Sequence, residues 1–315
     1  KMKNIIIFGL LLLGVLQSYA QQDPQYSLYM FNPLAVNPAY AGSREVLSGV
    51  LVHRSQWVGL DGAPETQALA INAPLKNKKM GLGLQIVNDK IGPKTTQNIT
   101  AAYAYRIKLG NGKLAFGLKG GIINYNFNWN KIEYKEEGDA IPEESTTSFL
   151  IPTFDFGMYY NTRTFYLGLA AEHLNQSSFK FAESQNPNNS QLDGGSSGGS
   201  KKGINFIGTV GNAFVLNDNF VLKTSALVRM ANDAINVDAN VGVLIKSRVL
   251  FGVSVRSTEA LIFMTELNIS KKLRMGVAYD VDRSGVASST AGSFEIFIGY
   301  DMGIFKSKVV SPRYF

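Results

Sequence analysis

Residues 235–246 read Ile-Asn-Val-Asp-Ala-Asn-Val-Gly-Val-Leu-Ile-Lys, and this stretch decides the fold class. Ile235, Val237, Ala239, Val241, Val243 and Ile245 fall on one side of an extended chain, with Asn236, Asp238, Asn240, Gly242 and Lys246 on the other; only Leu244 breaks the second set. Successive side chains of a strand point to opposite faces, so one face here is apolar and the other polar or small. The period of two recurs in Leu273, Met275, Val277, Tyr279 and Val281 against Lys272, Arg274, Gly276, Ala278, Asp280 and Asp282. It recurs in Phe294, Ile296, Ile298, Tyr300 and Met302 against Glu295, Phe297, Gly299 and Asp301, and in Ile99, Ala101, Tyr103, Tyr105, Ile107 and Leu109 against polar or small partners. Between Leu114 and Asn130 the phase slips at Gly120 and Gly121: Leu114, Phe116 and Leu118 mark the apolar set before it, Ile123, Tyr125, Phe127 and Trp129 after it. An extra residue resets the facing of a strand, so the slip predicts a β-bulge there.

Counted this way, about fourteen strands lie near residues 45–57, 65–73, 79–88, 95–109, 113–129, 151–161, 164–174, 202–216, 219–231, 235–247, 249–257, 260–270, 272–283 and 292–305. Connections after even strands are short, such as Lys76–Lys78, Gly110–Gly112, Thr162–Arg163 and Asn217–Asp218, whereas 130–150, 175–201 and 284–291 are long. Short turns at one end and long loops at the other describe a transmembrane antiparallel β-barrel of the outer membrane. The polar sets carry Arg106, Lys119, Lys223, Arg229, Arg256, Arg274, Asp238, Glu266, Asp280, Glu295 and Asp301. A wet lumen accommodates these charges while the apolar set meets lipid. A soluble β-sandwich also alternates, but about fourteen strands of this length are many for one such domain.

The chain has 315 residues, 45% hydrophobic and 17% charged, with 31 Gly, 19 Phe, 14 Tyr, 2 His and no Cys. That profile excludes a disordered chain, a disulfide scaffold and a Cys-ligated metal centre. A formal charge of +7 is too small a bias to indicate nucleic acid. Lys1 and Lys3 precede the apolar run 5–16, followed by Ser18 and Ala20, so residues 1–20 read as a cleaved signal peptide. The run falls short of the roughly 20 residues a membrane-spanning helix needs. The organisation expected is a signal over 1–20, an N-terminal plug or lid over 21–44, a barrel over 45–305 and a periplasmic tail over 306–315.

Residues 25–43, QYSLYMFNPLAVNPAYAGS, carry two prolines and are too aromatic for a solvated tail. They are expected to bury Tyr26, Tyr29, Phe31, Asn37, Pro38 and Tyr40 in or under the lumen. The stretch resembles the opening of the PorP/SprF family of type IX secretion membrane proteins of the Bacteroidetes, in which Gln-Tyr-Ser leads to Asn-Pro-Ala-Tyr-Ala-Gly. Further similar motifs are Arg54-Ser-Gln-Trp57, Gly62 to Gln67, Gly81-Leu-Gly83, Gly276-Val-Ala-Tyr-Asp280 and Gly292-Ser-Phe-Glu-Ile296, in order along the chain. Phe294 stands where the family usually has His, and GGSSGGS at 194–200 has the composition of a loop tip or an introduced linker. The resemblance implies a 14-strand outer-membrane barrel that works with type IX export or gliding machinery. Some relatives serve the periplasmic ring of the secretion apparatus; others are paired with a large secreted cell-surface adhesin.

Candidate partner-binding residues are Trp57 and Asp61 in the first outer loop, Trp129 and Tyr134 in the third, and Tyr314 and Phe315 in the tail. Aromatics at strand ends anchor protein interfaces or form the interfacial girdle. The terminal SPRYF either aids barrel insertion or hangs below as a docking segment. Arg229, Arg256, Glu266, Arg274, Asp280, Glu295 and Asp301 are expected to form a lumen charge network. Asp280 and Asp282 share a face and have the chemistry to bind Ca²⁺, but paired lumen acids more commonly meet Arg256 or Arg274. His53 and His173 give no selective Ser-His-acid or metal spacing, so neither enzymatic activity, a cofactor nor a metal is expected. The expected function is a non-enzymatic platform for an adhesin or its C-terminal domain, for periplasmic ring proteins and for outer-membrane lipid. A solute channel or small-molecule transporter is the rival reading.

Overall fold

The computed structural model describes residues 23–131, 146–180, 199–231, 234–258, 260–283 and 289–304. Residues 1–20, Tyr134, most of GGSSGGS and the tail with Tyr314 and Phe315 lie outside them. The strands are β1 (Leu47–Ser55), β2 (Glu65–Pro74), β3 (Met80–Ile91), β4 (Lys94–Leu109), β5 (Gly112–Asn128), β6 (Thr146–Asn161), β7 (Phe165–Glu172) and β8 (Ser178–Lys180). They continue with β9 (Gly199–Lys201), β10 (Asn205–Val215), β11 (Phe220–Ala231), β12 (Ala234–Ile245), β13 (Val249–Arg256), β14 (Ala260–Asn268), β15 (Leu273–Asp282) and β16 (Ser293–Met302).

Fourteen of these close an antiparallel barrel in chain order, β7 pairing directly with β10 and β16 returning to β1 through Leu47↔Met302 to Ser55↔Phe294. Closure gives every strand two neighbours, which is what hydrocarbon demands of a sheet. β8 and β9 form a separate small hairpin in the loop between β7 and β10, which the sequence pattern does not anticipate. Among the described residues no helix is long and apolar enough to span a membrane.

The apolar sets face outward: Ile235 and Leu118 are each 61% exposed, and Ile296, Ile298 and Tyr300 lie on the same outer surface. The charged sets face inward, with Glu295, Asp280, Arg54 and Arg256 buried. Lipid covers the first face, so its exposure to water is only formal.

The predicted bulge at Gly120–Gly121 is absent. β5 keeps one register against β4 from Leu109↔Gly112 to Lys94↔Phe127, and one against β6 from Lys113↔Asn161 to Asn128↔Thr146. What changes is the surroundings. Ile122 ends the outward apolar row, and Asn124 and Asn126 follow it on the same face. Ile123 and Tyr125, facing inward, are buried with Ile151 and packed by Phe127 and Phe149. Above Ile122 the outer face turns polar and the apolar face becomes the inner one without any residue slipping, the pattern expected of a strand end that rises beyond the hydrocarbon.

Residues 23–44 run down the inside of the barrel from the long-loop rim to the short-turn rim. At the first rim Asp23 meets His173, Lys202 and Asn205; at the second, Ala41 meets Arg106 and Glu45 meets Lys78 and Lys113. The segment folds as three single 3₁₀ turns, Tyr29–Phe31, Pro33–Ala35 and Pro38–Tyr40, the latter two opened by proline. A proline with no N–H is tolerated at the first position of a turn but cannot join a ladder. Tyr26, Leu28, Tyr29, Phe31, Leu34, Val36 and Tyr40 are all buried. Phe31 stacks on Phe297 of β16 with centroids 4.8 Å apart. The apolar exceptions in the polar sets, Phe297 and Leu244, therefore belong to the core packed around the plug.

Candidate functional site

The plug seats on a wall from which side chains are missing. A Cβ added to Gly81 would meet the carbonyl of Ala41; one on Gly117 would meet the backbone of Ala39; one on Gly157 would meet Asn37 Oδ1, with Pro38 Cδ at 2.9 Å. Glycine permits this close backbone approach. Asn37 then ties the turn down: its Oδ1 accepts from Ala39 N at 2.9 Å, and its Nδ2 donates to the carbonyls of Met158 at 2.9 Å and Leu169 at 3.2 Å. Tyr40 packs edge-on against Tyr159 at 5.5 Å. The short side chains of Asn-Pro-Ala-Tyr-Ala-Gly and the glycines of β3, β5 and β6 are two halves of one contact.

Higher in the lumen a charge cluster grips Ser27. Arg54 of β1 places Nη2 2.8 Å from Asp280 Oδ2 of β15 and Nη1 3.0 Å from Glu295 Oε2 of β16, and Nη1 also donates to Ser27 Oγ at 2.7 Å. Ser27 Oγ donates to Asp280 Oδ2 at 2.6 Å, while Ser27 N and Leu28 N donate to the two Glu295 oxygens at 2.7 and 3.0 Å. Arg256 of β13 reaches Asp280 at 3.4 Å and pairs with Asp238 of β12 at 3.0 Å. Four motifs far apart in sequence, QYS, Arg54-Ser-Gln-Trp57, Gly276 to Asp280 and Gly292 to Ile296, thus meet at one point. Buried charges persist when paired and hydrogen-bonded, and here the pairing is completed by the plug backbone.

The long-loop end of the plug is a latch. Asp23 Oδ2 meets His173 Nε2 at 2.8 Å and accepts from Asn205 Nδ2 at 2.7 Å, and its Oδ1 meets Lys202 Nζ at 2.6 Å. His173 Nδ1 meets Thr153 Oγ1 at 2.9 Å. Burial pushes the Asp23 carboxyl up, but Lys202 and His173 outweigh it and hold the group well below 3.8. A depressed carboxyl contributes stability that is fully present above its unfolded value and lost as pH falls through the folded one. Asp23→Asn is therefore expected to cost about 2 kcal/mol at neutral pH, and the deficit should begin to shrink as pH falls below 3.8 and vanish only as pH falls through the depressed folded value. Chemical denaturation of both proteins across a pH series measures it; a deficit independent of pH would remove the charge from the account.

The sequence from residue 18 to 300 matches the family model described as type IX secretion system membrane protein PorP/SprF. The chain belongs to the PorP/SprF family. It is a type IX secretion component of the outer membrane. No functionally curated protein matches in sequence. Among solved structures, the CymD monoaromatic hydrocarbon channel is similar at 10% identity and TM-score 0.50, covering 92% of this chain and 95% of that one. The toluene transporter TbuX of Ralstonia pickettii gives 11% identity and TM-score 0.49 over 85% and 92%, and Omp33 of Acinetobacter baumannii 7% and 0.47 over 82% and 99%. At these identities the likeness concerns the barrel fold alone.

Phe294, the position where the resemblance implies His, lies on the outer face against Tyr279 with ring centroids 4.8 Å apart. The departure therefore leaves the Arg54 cluster of this PorP/SprF barrel untouched. Arg256, Asp280 and Glu295 meet in that cluster, but the other expected members lie elsewhere. Arg274 stands 3.9 Å from Glu266 and Asp301 2.8 Å from Arg44, both towards the short-turn rim, and Arg229 lines a 10 Å³ cavity beside Tyr26. Asp280 meets Arg54 and Arg256, not Arg274; Asp282 accepts from Ser293 Oγ at 3.3 Å. Arg54 and Ser27 are the members that pattern reading leaves out. Trp57 opens the first outer loop, its N donating to Ser293 Oγ at 3.1 Å, and Asp61 is exposed in the same loop. Trp129 stacks on Phe127 at 5.8 Å and donates to Thr147 Oγ1 at 2.8 Å. His53 faces outward with Ser55 Oγ 3.2 Å away, and among the described residues no carboxylate hydrogen-bonds to it. Asp23, Glu172 and His173 bring ligand-type atoms within 4.8 Å, but Lys202 on Asp23 and Lys119, 3.7 Å from Glu172, already supply the cationic charge.

Proposed function

We propose that the barrel is a non-enzymatic platform of the type IX machinery. Its long loops hold, or help export, a large secreted cell-surface adhesin through that protein's C-terminal domain, and its short-turn rim docks periplasmic ring proteins. The observation that carries this reading is the filled lumen. The plug is fixed at both rims and at Ser27, and the cavities found beside it among the described residues are small: about 10 Å³ near Tyr26, about 10 Å³ near Tyr40, about 10 Å³ beside Pro33 and about 60 Å³ around Asp23. Such gaps hold single waters or a few, not a solute path. Outside, exposed Asp61 with Trp57 and the Trp129–Phe127 stack offer the loop anchors on which a protein partner would close.

The second reading is a solute channel, favoured only by the fold shared with channel-forming barrels. The test is mild detergent extraction of the tagged protein from its native envelope and mass spectrometry of what copurifies. A very large repeat protein supports adhesin holding, and periplasmic ring components alone support the docking role. Recovery of neither would overturn the platform reading.

A further inference from the structure

Below the plug, at the short-turn rim, opens a cleft of about 670 Å³ bounded by the turns after β2, β4 and β6. It lies within the roughly 300–1,000 Å³ of typical ligand sites. Six cationic residues line it: Lys78, Lys79, Arg106, Lys108, Lys113 and Arg163, with Asn77, Asn111 and Asn161 between them and no carboxylate among the lining residues. Glu45, at the foot of the plug, pairs with Lys113 and Lys78. Lys79, Lys108 and Arg163 are exposed and form no ion pair among the described residues.

The structure points to a purpose for this convergence: we infer that the cleft binds a carboxylate-rich segment of a periplasmic protein. The inference deepens the docking role proposed above and rests on it for the sidedness of the partner. Arg106 and Lys108 share the inward-facing register of β4 with the buried Ala102 and Ala104, and Lys113 and Asn161 share those of β5 and β6 with the buried Ala115 and Tyr159. These groups face the lumen mouth, away from surrounding lipid, although the cleft also reaches the outward Tyr105 and Ile107. A chain entering from below meets them; a phospholipid headgroup brings one charge to a site that presents several. Cations spread over three turns suit consecutive Asp or Glu side chains, each accepting charge-assisted hydrogen bonds. The chain's own residues 305–315 are not the occupant the charge requires, since Lys306, Lys308 and Arg313 are their only charged side chains.

The test uses the full-length protein in neutral phosphatidylcholine nanodiscs and a fluorescent oligo-glutamate peptide as probe. Wild type should bind it in a salt-sensitive manner, and Lys79→Glu/Lys108→Glu/Arg163→Glu should weaken binding about tenfold or more. Lys271→Glu/Lys272→Glu, on an exposed basic turn outside the cleft, should leave it unchanged. Unaltered heat-modifiable gel migration confirms that each variant is folded. Absent binding, equal weakening by both reversals, or displacement of the peptide by inorganic phosphate or by phosphatidylglycerol in the disc overturns the inference. Ring components that copurify equally with wild type and the triple reversal overturn the cleft but leave the platform standing. Peptide binding at the cleft without any copurifying partner does the opposite.

Discussion

Replacing Arg54 by Met should destabilise the plugged barrel by about 3–5 kcal/mol, the usual cost of stripping one partner from a buried ion pair. Arg54 is 1% exposed, Asp280 1% and Glu295 0%, so neither carboxylate can recruit bulk water when the guanidinium goes. Arg256 at 3.4 Å from Asp280 is a poor substitute, being engaged with Asp238, and Glu295 keeps only the two backbone donors of Ser27 and Leu28. Denaturant unfolding in detergent, read by heat-modifiable gel migration, measures the loss. Neutralising the acids as well, in Arg54→Met/Asp280→Asn/Glu295→Gln, should recover most of it, because the penalty is uncompensated charge rather than a missing contact. A triple variant no better than the single one would mean that Arg54 acts through packing.

The barrel was legible in the sequence because hydrocarbon outside and polar groups inside impose a period of two on every strand. The outward rows ending in Ile245, Val281 and Met302 could be read without knowing what they faced. The exceptions carried the other half of the structure. Leu244 and Phe297 interrupt polar rows because the lumen holds an apolar segment, and Ser48, Val50, Val52 and Arg54 of β1 make an inward row that mixes both kinds. The period of two therefore does not assign Arg54 to the charge network, although the residue stands within the Arg54-Ser-Gln-Trp57 motif. The phase change at Gly120 mimics a bulge because period alone records which face is apolar, not what that face meets. The glycine motif at 81–83, weak as a pattern, becomes specific beside Ala41 and Leu34, whose Cδ1 lies 3.1 Å from where a Gly83 Cβ would be. Meetings of this kind, between residues 27 to 268 positions apart, follow from closure of the barrel and leave no local trace.

Deleting residues 24–42 should turn a closed barrel into a conducting one. An eight-strand barrel is filled by its own side chains and barrels of 16 to 18 strands leave an aqueous channel. With 14 strands the wall alone does not fill the interior; here Tyr26, Leu28, Tyr29, Phe31, Leu34 and Tyr40 do. Once they are gone, Arg54, Asp280, Glu295, Arg256 and Asp238 line a water-filled passage, a surface such barrels tolerate. Planar-bilayer recording should show no steps for the intact protein and large stable steps for the deletion. The two predictions are coupled: in the open barrel, water screens Asp280 and Glu295, so Arg54→Met should cost no more than about 1 kcal/mol there. A deletion that stays silent would show the wall collapsing inward or the long loops sealing the mouth. An intact protein that conducts as well as the deletion would return the solute channel to first place, since the contacts of Ser27 and Asn37 would then anchor a segment that does not close the lumen. A cost for Arg54→Met that persists undiminished after deletion would locate its role in the strand pairing of β1 with β16, independent of the plug.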